Sequence, residues 1–426
     1  MCINKQESDS EISLRLLYGD DETILELQRK RYTLLKEKFE SIFNLSPSYF
    51  FSSPGRTEIS GNHTDHNHGK VIAASINLDS IAAVSLNNSN EVVIYSEGFT
   101  KLFSVDLNKL KLHQEEKQTT HALIRGIAAG LKRYGYKTGG FNACIASHVI
   151  IGSGLSSSAS IEILIGTIFN YLFNDGKIPA EKIALIGQYA ENNYFGKPCG
   201  LMDQLACITG GIIGIDFKNP LNPKITKIGF DFLSTGYKLI VVDTKASHSD
   251  LTDEYAAIPK EMKEVAGYFS KEFSSEISLD DLVQNMKLLR EKVSDRAILR
   301  AIHFLEENRR VELQIEMLNK NDFNGFLKLV NKSGDSSYKY LQNVYSTKNT
   351  FKQEVSLALA LSEIFIKDKG KGACRVHGGG FAGTILVFLP DELIEEYKNY
   401  ISKIFNRDSV KVLTIRNLGA VRLSNI

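Results

Sequence analysis

The chain has no tryptophan in 426 residues, and its large aromatic groups are 23 Phe and 17 Tyr. It also lacks any charge excess: 51 Lys and Arg against 50 Asp and Glu leave a formal net charge of +1. Non-specific nucleic-acid binding draws on surplus cations, so that class is excluded. Cysteine is scarce, at Cys2, Cys144, Cys199, Cys207 and Cys374. An odd count with no paired short spacing argues against a disulfide framework and against a CxxC zinc site. No apolar run is long enough to span a bilayer. Residues Met1 to Glu11 are polar and acidic and lack the apolar centre of a signal peptide. The expectation is a soluble, cytoplasmic protein whose partners are small molecules or proteins, with no membrane and no nucleic acid. The sequence carries no mark of an oligomeric state.

What is present is ordinary globular material. A hydrophobic fraction of 43% and a charged fraction of 24% supply sizeable cores and exclude global disorder. The length suits two to three domains. Asp21 to Phe43 has apolar residues at helical spacing among charges. Val71 to Ile76, Ile81 to Leu86 and Val92 to Tyr95 read as strands, the last two separated by a polar turn. Phe141 to Ile151 is a further strand candidate. Helices are expected over His121–Tyr134, Ile183–Tyr194, Leu251–Phe273, Leu279–Glu306, Val311–Val330 and Glu392–Phe405. Strands are expected over Leu239–Val242, Thr384–Leu389 and, last, Val410–Ile415. The turn-rich stretch Asn219 to Pro223 is the candidate link between domains, giving 1–220 and 221–426. The mixture is α+β.

Three segments carry chemistry. The first is Gly152-Ser153-Gly154-Leu155-Ser156-Ser157-Ser158-Ala159-Ser160, between an apolar strand and an apolar helix. Glycines allow close backbone approach, and the helix start offers free N–H groups and the positive dipole end. That combination suits phosphate, and the serine hydroxyls can bond phosphate or Mg²⁺. Walker A is excluded because the loop has no Lys, and GxGxxG fails at Ser157. A plain serine-glycine turn capping a helix stays open. The second segment, Pro54 to Gly69, packs Arg56, Glu58, Asn62, His63, Asp65, His66 and His68 into a short polar loop. Metal binding through the histidines and Asp65, carbohydrate binding and a solvated loop all remain open. The third, Gly196 to Gln204, places Asp203 among apolar residues. Arg56 is a possible partner; a helix N-cap is the plainer alternative.

In this order, the three segments resemble the GHMP kinase superfamily and, within it, the galactokinases. The galactokinase signature GRxNLIGEHTDYNxG is similar to Gly55-Arg56 through Gly61-Asn62-His63-Thr64-Asp65-His66-Asn67-His68-Gly69. The phosphate loop PxGxGLSSSAS is similar to the segment ending in Ser160, with Ile150 in place of Pro. GxPCGIMDQ appears as Gly196 to Gln204. A fourth segment, Cys374 to Thr384, resembles SRMTGGGFGGC. The resemblance spans nearly the whole chain and implies a two-domain α+β GHMP fold with the active site between the domains. It implies ATP-dependent 1-phosphorylation of galactose with Mg²⁺. By position, Asp203 matches the catalytic aspartate and Arg56 the arginine that stabilises it. His63, Asp65 and Gly200 match sugar-holding residues, and Tyr255 aligns loosely with a sugar-facing tyrosine. Gly152, Ser153, Gly154, Leu155, Ser156, Ser157, Ser158 and Ala159 match the ATP phosphate loop. Ser157 or Ser158, with Glu191, matches the Mg²⁺ site, and Gly379 and Gly380 close the site.

The sugar end departs from the pattern. Asn62 stands where the family has a Glu that contacts the C6 hydroxyl, so Asn62 is expected to bind the sugar. Glu58 replaces an Asn, Ser60 an Ile, His66 a Tyr and His377 a Thr, and Ser333 to Ser337 lacks the usual HxSL. An uncharged Asn62 would not repel a C6 carboxylate. The same reaction on galacturonic acid or L-arabinose is therefore an alternative, as is a non-catalytic sensor of galactose and ATP.

Overall fold

The structure is a computed structural model that describes residues 13–149, 154–245, 251–381 and 383–424. Two sheets organise it. The first begins with β1 (Tyr49–Ser60), β2 (Lys70–Leu86), β3 (Glu91–Ser96), β4 (Phe103–Asp106) and β5 (Phe141–Ser147), and adds β6 (Ile212–Asp216) and β7 (Lys224–Ile228). The second holds β8 (Tyr237–Asp243), β9 (Ala373–His377), β10 (Thr384–Pro390) and β11 (Val410–Leu413), in the order β11-β8-β10-β9. The chain then returns to the first sheet as β12 (Val421–Leu423), giving β12-β1-β2-β5-β3-β4 with β6 on β2 and β7 on β6. Only β3 and β5 run parallel in these pairings.

Helices cover both faces of the first sheet. After α1 (Leu14–Tyr18), α2 (Glu22–Phe43) packs Leu25, Tyr32, Leu35 and Phe39 against Ile81, Ala83 and Cys144. Asp21 caps α2, its carboxylate accepting from the Thr23 amide at 2.8 Å, which satisfies one of the free first-turn N–H groups. On the opposite face lie α3 (Thr120–Arg133), α4 (Ser157–Phe173) and α5 (Ala180–Ala190), around Ile124, Ile127, Ile163 and Phe169. The short α6 (Met202–Thr209) follows. The second half adds α7 (Thr252–Tyr268), α8 (Leu279–Leu289), α9 (Asp295–Asn319), α10 (Phe323–Ser336), α11 (Glu354–Lys369) and α12 (Ile394–Phe405). One apolar cluster joins the two sheets: Ile59, Ile72 and Ile76 of the first meet Leu239, Val241 and Phe388 of the second, with Val311 and Phe326.

Five expectations change. The expected helices Leu279–Glu306 and Val311–Val330 are three, α8, α9 and α10, broken at 290–294 and 320–322 and continuous through 306–311. Asn219–Pro223 turns the β6–β7 hairpin, so the expected division at 220/221 falls between two paired strands of one sheet. Asn-Pro chemistry marks a hairpin turn as readily as a linker. The two expected strands Val71–Ile76 and Ile81–Leu86 are one strand, β2, whose polar middle is hydrogen-bonded internally. Residues 54–60, read as part of a loop, continue β1, with register shifts at Pro54/Arg56 and Glu58/Ser60. Bulges of this kind re-aim side chains without ending the strand. Finally, Val410–Ile415 is not the last strand, because β12 follows it.

Candidate active site

Three chain segments meet at Arg56. The Arg56 amide donates to Leu155 O at 3.1 Å, which fastens β1 to the glycine-serine loop. Gly55 permits this approach: a Cβ there would lie 2.9 Å from Leu155 O. The Arg56 guanidinium forks onto Asp203, with Nε to Oδ1 at 2.6 Å and Nη2 to Oδ2 at 2.8 Å. Its Nη1 donates to Gly154 O. Bidentate, charge-assisted geometry of this kind fixes orientation as well as charge. Asp203 is in the first turn of α6, after the N-cap Leu201, so it is not the cap itself. Burial pushes the Asp203 carboxyl up, but the charge and hydrogen bonds of Arg56, with the Ser156 hydroxyl, outweigh it and hold the group below the usual carboxylate range.

Ser156 caps α4 from a left-handed backbone, φ 60° and ψ 58°, yet its side chain makes no capping bond. Its Oγ donates to Asp203 instead. The loop is thus held in a sparsely populated conformation with the first-turn amides of α4 beyond it.

Next to Asp203 is a cavity of about 180 Å³, lined by Arg56, Glu58, Asn62, His63, Asp65, His66, Lys197–Gly200, Met202, Tyr255, Gly378 and Gly379. Larger hollows lie elsewhere, one of 790 Å³, but that one draws only on residues 283–295. The turn after β1 shapes the cavity wall. Gly61 has φ +94°, and a Cβ there would overlap Lys70 and Val71. Thr64 Oγ1 donates to Lys70 O at 2.6 Å and closes the turn. His63 Nε2 donates to Gly379 O at 2.8 Å. Burial lowers the His63 pKa to about 3, so the ring is neutral. Its Nδ1 is buried with no hydrogen-bond partner among the described residues, which leaves an acceptor for a ligand hydroxyl. Tyr255 from α7 meets His63 edge-on, with centroids 5.0 Å apart. Gly200 leaves room for Asp65: a Cβ would lie 2.5 Å from Asp65 Oδ2.

Four of the residues that depart from the family pattern, Glu58, Asn62, Ser337 and His377, form one chain of contacts. Asn62 Nδ2 donates to Glu58 Oε1 at 3.0 Å and to Gly378 O at 2.6 Å. Asn62 Oδ1 accepts from Asn343 at 2.7 Å and, at 3.5 Å, from Ser337. The Asn62 carbonyl accepts from His303 Nε2 at 3.0 Å. Arg375 Nη2 donates to Glu58 Oε1 at 2.9 Å. Burial raises the Glu58 pKa, and the Arg375 charge and the Asn62 amide only partly offset it. The Glu58 amide donates to His377 Nε2 at 3.3 Å, which assigns the other ring proton to Nδ1, facing Thr384 Oγ1 at 2.9 Å.

A second polar group lies behind α4. Of the two candidate serines, Ser158 donates to Glu191 Oε1 at 3.0 Å, while Ser157 begins the helix. Glu191 is 2% exposed. Gln204 Nε2 bridges Glu191 Oε2 at 3.2 Å and Glu162 Oε2 at 2.9 Å. Burial and the Glu191 charge push Glu162 well above the usual carboxylate range, and its Oε1 has no hydrogen-bond partner among the described residues. Among the described residues no group of three or more His, Cys, Asp or Glu is placed to hold a metal. The metal reading of His63, Asp65, His66 and His68 therefore gains no support. Ser158 and Glu191 are hard oxygen donors, and two such ligands fit Mg²⁺, which keeps several waters and phosphate oxygens.

Asp203, Arg56, Asn62, His63, Asp65, Gly200 and Tyr255 thus gather in one place, with Gly154, Leu155 and Ser156 beside them, whereas Ala159 packs into the core beneath the first sheet. Gly152 and Ser153 lie outside the described residues. Sequence reading gave no role to Glu162, Gln204, His303 or Asn343. Glu162 was open to it, since four residues after Ser158 it shares a helix face with that serine. The others come from segments whose meeting only the fold reveals.

Residues 37–86 match the family model described as the galactokinase galactose-binding signature, and residues 122–211 the model of the GHMP kinase N-terminal domain. The galactokinase of Clostridium acetobutylicum is 29% identical over 406 residues, covering 92% of this chain and 99% of its own. That of Staphylococcus carnosus is 29% identical over 387 residues, covering 88% and 93%. Among solved structures, Lactococcus lactis galactokinase complexed with galactose superposes with a TM-score of 0.78 at 24% identity, over 92% of this chain and 99% of the other. Methanococcus jannaschii mevalonate kinase gives a TM-score of 0.61 at 18% identity, over 86% and 98%.

Proposed function

Since this chain belongs to the galactokinase family of the GHMP kinases, we propose that it transfers the γ-phosphoryl group of ATP to the anomeric hydroxyl of galactose. The observation that carries the reading is the Arg56–Asp203 fork, set between the cavity and the start of α4. Phosphoryl transfer asks little covalent chemistry of a protein and much positioning. The cavity holds a single sugar ring. His63 Nδ1 and the Asp65 carboxylate accept sugar hydroxyls there, and Tyr255 covers the ring. Asp203 accepts the proton of the attacking hydroxyl. With its pKa held down it is a weak base, so it acts mainly by orienting that hydroxyl. Arg56 keeps the carboxylate in place and sets positive charge beside the phosphoryl group in flight. The α4 amides bond the phosphates, while the Ser156 hydroxyl stays on Asp203. Ser158 and Glu191 would hold Mg²⁺, which when bound neutralises phosphate charge.

The test is sugar-dependent ADP release. Galactose is expected to support turnover, and Asp203→Asn to lower kcat by about 10²–10⁴-fold with little change in KM. Turnover unaffected by that substitution would remove Asp203 from the chemistry. Binding of galactose and ATP without ADP release would favour a sensor.

A further inference from the structure

The amide of Asn62 has no capacity left for a ligand. Both of its N–H groups are used, by Glu58 and Gly378 O. Its Oδ1 is held by Asn343 and Ser337, and the residue is fully buried, at 0% exposure. An Asn side chain offers two donors and one acceptor oxygen with two lone pairs, so this one is spent inside the protein. Glu58 differs. Its Oε1 takes the bonds from Asn62 and Arg375, while Oε2 accepts none from the described residues. Glu58 also lines the cavity.

We propose that Glu58, rather than Asn62, is the specificity residue of this pocket: its free oxygen receives a sugar hydroxyl, and its charge bars sugars that carry a carboxylate. This rests on the sugar-kinase reading above and narrows its substrate class. The carboxylate and the amide have exchanged places four residues apart, from the family's Asn and Glu to Glu58 and Asn62. The surroundings fit the exchange. Arg375 and Asn62 hold Glu58 from behind, His377 bonds its amide, and Asn343, Ser337 and His303 hold Asn62. Of the other charged groups lining the cavity, two are acids, and the two cations, Arg56 and Lys197, each lie beside an acid; His66 stands 3.7 Å from Asp65. Asp65 and Asp203 add negative charge, and Arg56 is committed to Asp203. Lys197 stands 3.6 Å from Glu191 with its side chain 63% exposed. His63 is neutral. A uronic acid would enter a small desolvated space beside three carboxylates and no free guanidinium.

The experiment compares kcat/KM for galactose and galacturonate, which differ only in the oxidation state of C6. The unaltered protein is expected to favour galactose by about 100-fold or more. Glu58→Gln should raise KM for galactose and narrow that preference by at least about tenfold. Asn62→Glu alone sets two carboxylates at hydrogen-bond distance and should lose activity. The double exchange Glu58→Asn with Asn62→Glu should recover at least about tenfold over that single variant. An unchanged sugar preference in folded Glu58→Gln would overturn the assignment. So would preference for galacturonate, or indifference, in the unaltered protein, and that arm requires no variant to fold. Calorimetric binding of both sugars without ATP reads the same discrimination. A protein that binds galactose selectively but never releases ADP would sink the kinase reading and leave Glu58 to be judged by binding alone.

Discussion

Glu162 holds a proton because of what surrounds it. Its carboxyl and that of Glu191 share one donor, the Gln204 amide, and both are buried. Two charges there would repel, and burial already disfavours each. The proton therefore stays on Glu162, whose pKa burial and Glu191 raise well above the ordinary value. Glu162→Gln replaces a neutral acid with a neutral amide of similar shape. It should change stability by no more than about 1 kcal/mol and leave the Mg²⁺ dependence of turnover unchanged. A loss of about 3 kcal/mol or more in denaturant melts would mean that a buried charge had been removed. At this scale the sequence was legible where a residue's type dictates its partner. Arg56 and Asp203 were expected as a pair and are one. Glu58 and Asn62 were not legible, because residue type does not say which lone pairs the protein has already taken.

The elements were legible where periodicity is strong, as in α2 and α3, and misread where polar residues interrupt a buried strand. β2 is the clearest case. Asn77-Leu78-Asp79-Ser80 reads as a break, yet Asp79 lies at the centre of the strand at 0% exposure. Arg31 from α2 bonds it at 2.5 Å and Arg416, just before β12, at 3.1 Å, while Tyr18 adds a hydroxyl at 2.6 Å. Burial alone would raise the Asp79 pKa; Arg31 and Arg416 reverse that and lower it. The acid ties the N-terminal helices and the returning C-terminal segment to one strand. Asp79→Asn leaves two buried guanidinium groups short of a counter-charge, and breaking such a cluster costs about 3–5 kcal/mol. Urea denaturation should register a loss of that size, and a change below about 1 kcal/mol would show that the cluster is energetically idle. A strand holding an acid satisfied by residues 48 and 337 positions away leaves no trace in local sequence.

Across the whole molecule, chain order and spatial order part company. The first sheet takes β12 from the far end of the sequence, and Gly378 and Gly379, near the C-terminus, close a cavity begun at Arg56. The α+β class followed from the pattern of elements, but such returns depend on long-range packing. The cavity and its supports also bury histidines in neutral form, and that sets the response of the fold to acid. His63, His303 and His377 all have pKa values lowered by burial, His63 to about 3. In the unfolded chain each would titrate near about 6.5. Between the two values the unfolded state binds more protons, so stability falls as pH falls. Each such histidine forfeits about 1.4 kcal/mol per pH unit below about 6.5. Glu307, held down to about 2 because Arg310, His303 and Arg375 overcome its burial, adds a further loss below about 4.5. The raised Glu58 and Glu162 act in the opposite sense, gaining a proton in the fold first. His68 and His148 are also lowered by burial and Glu363 is raised, so five histidines against three acids leave acid destabilising. Tm measured from pH 8 to pH 5 should hold steady above about 7 and decline below about 6.5. His303→Gln should lower Tm at pH 7.5, through lost contacts to Ser336 and the Asn62 carbonyl, and should shallow the acid decline by about one proton's worth of slope. A Tm flat from pH 7 to pH 5.5 would show that these rings are not held neutral by the fold.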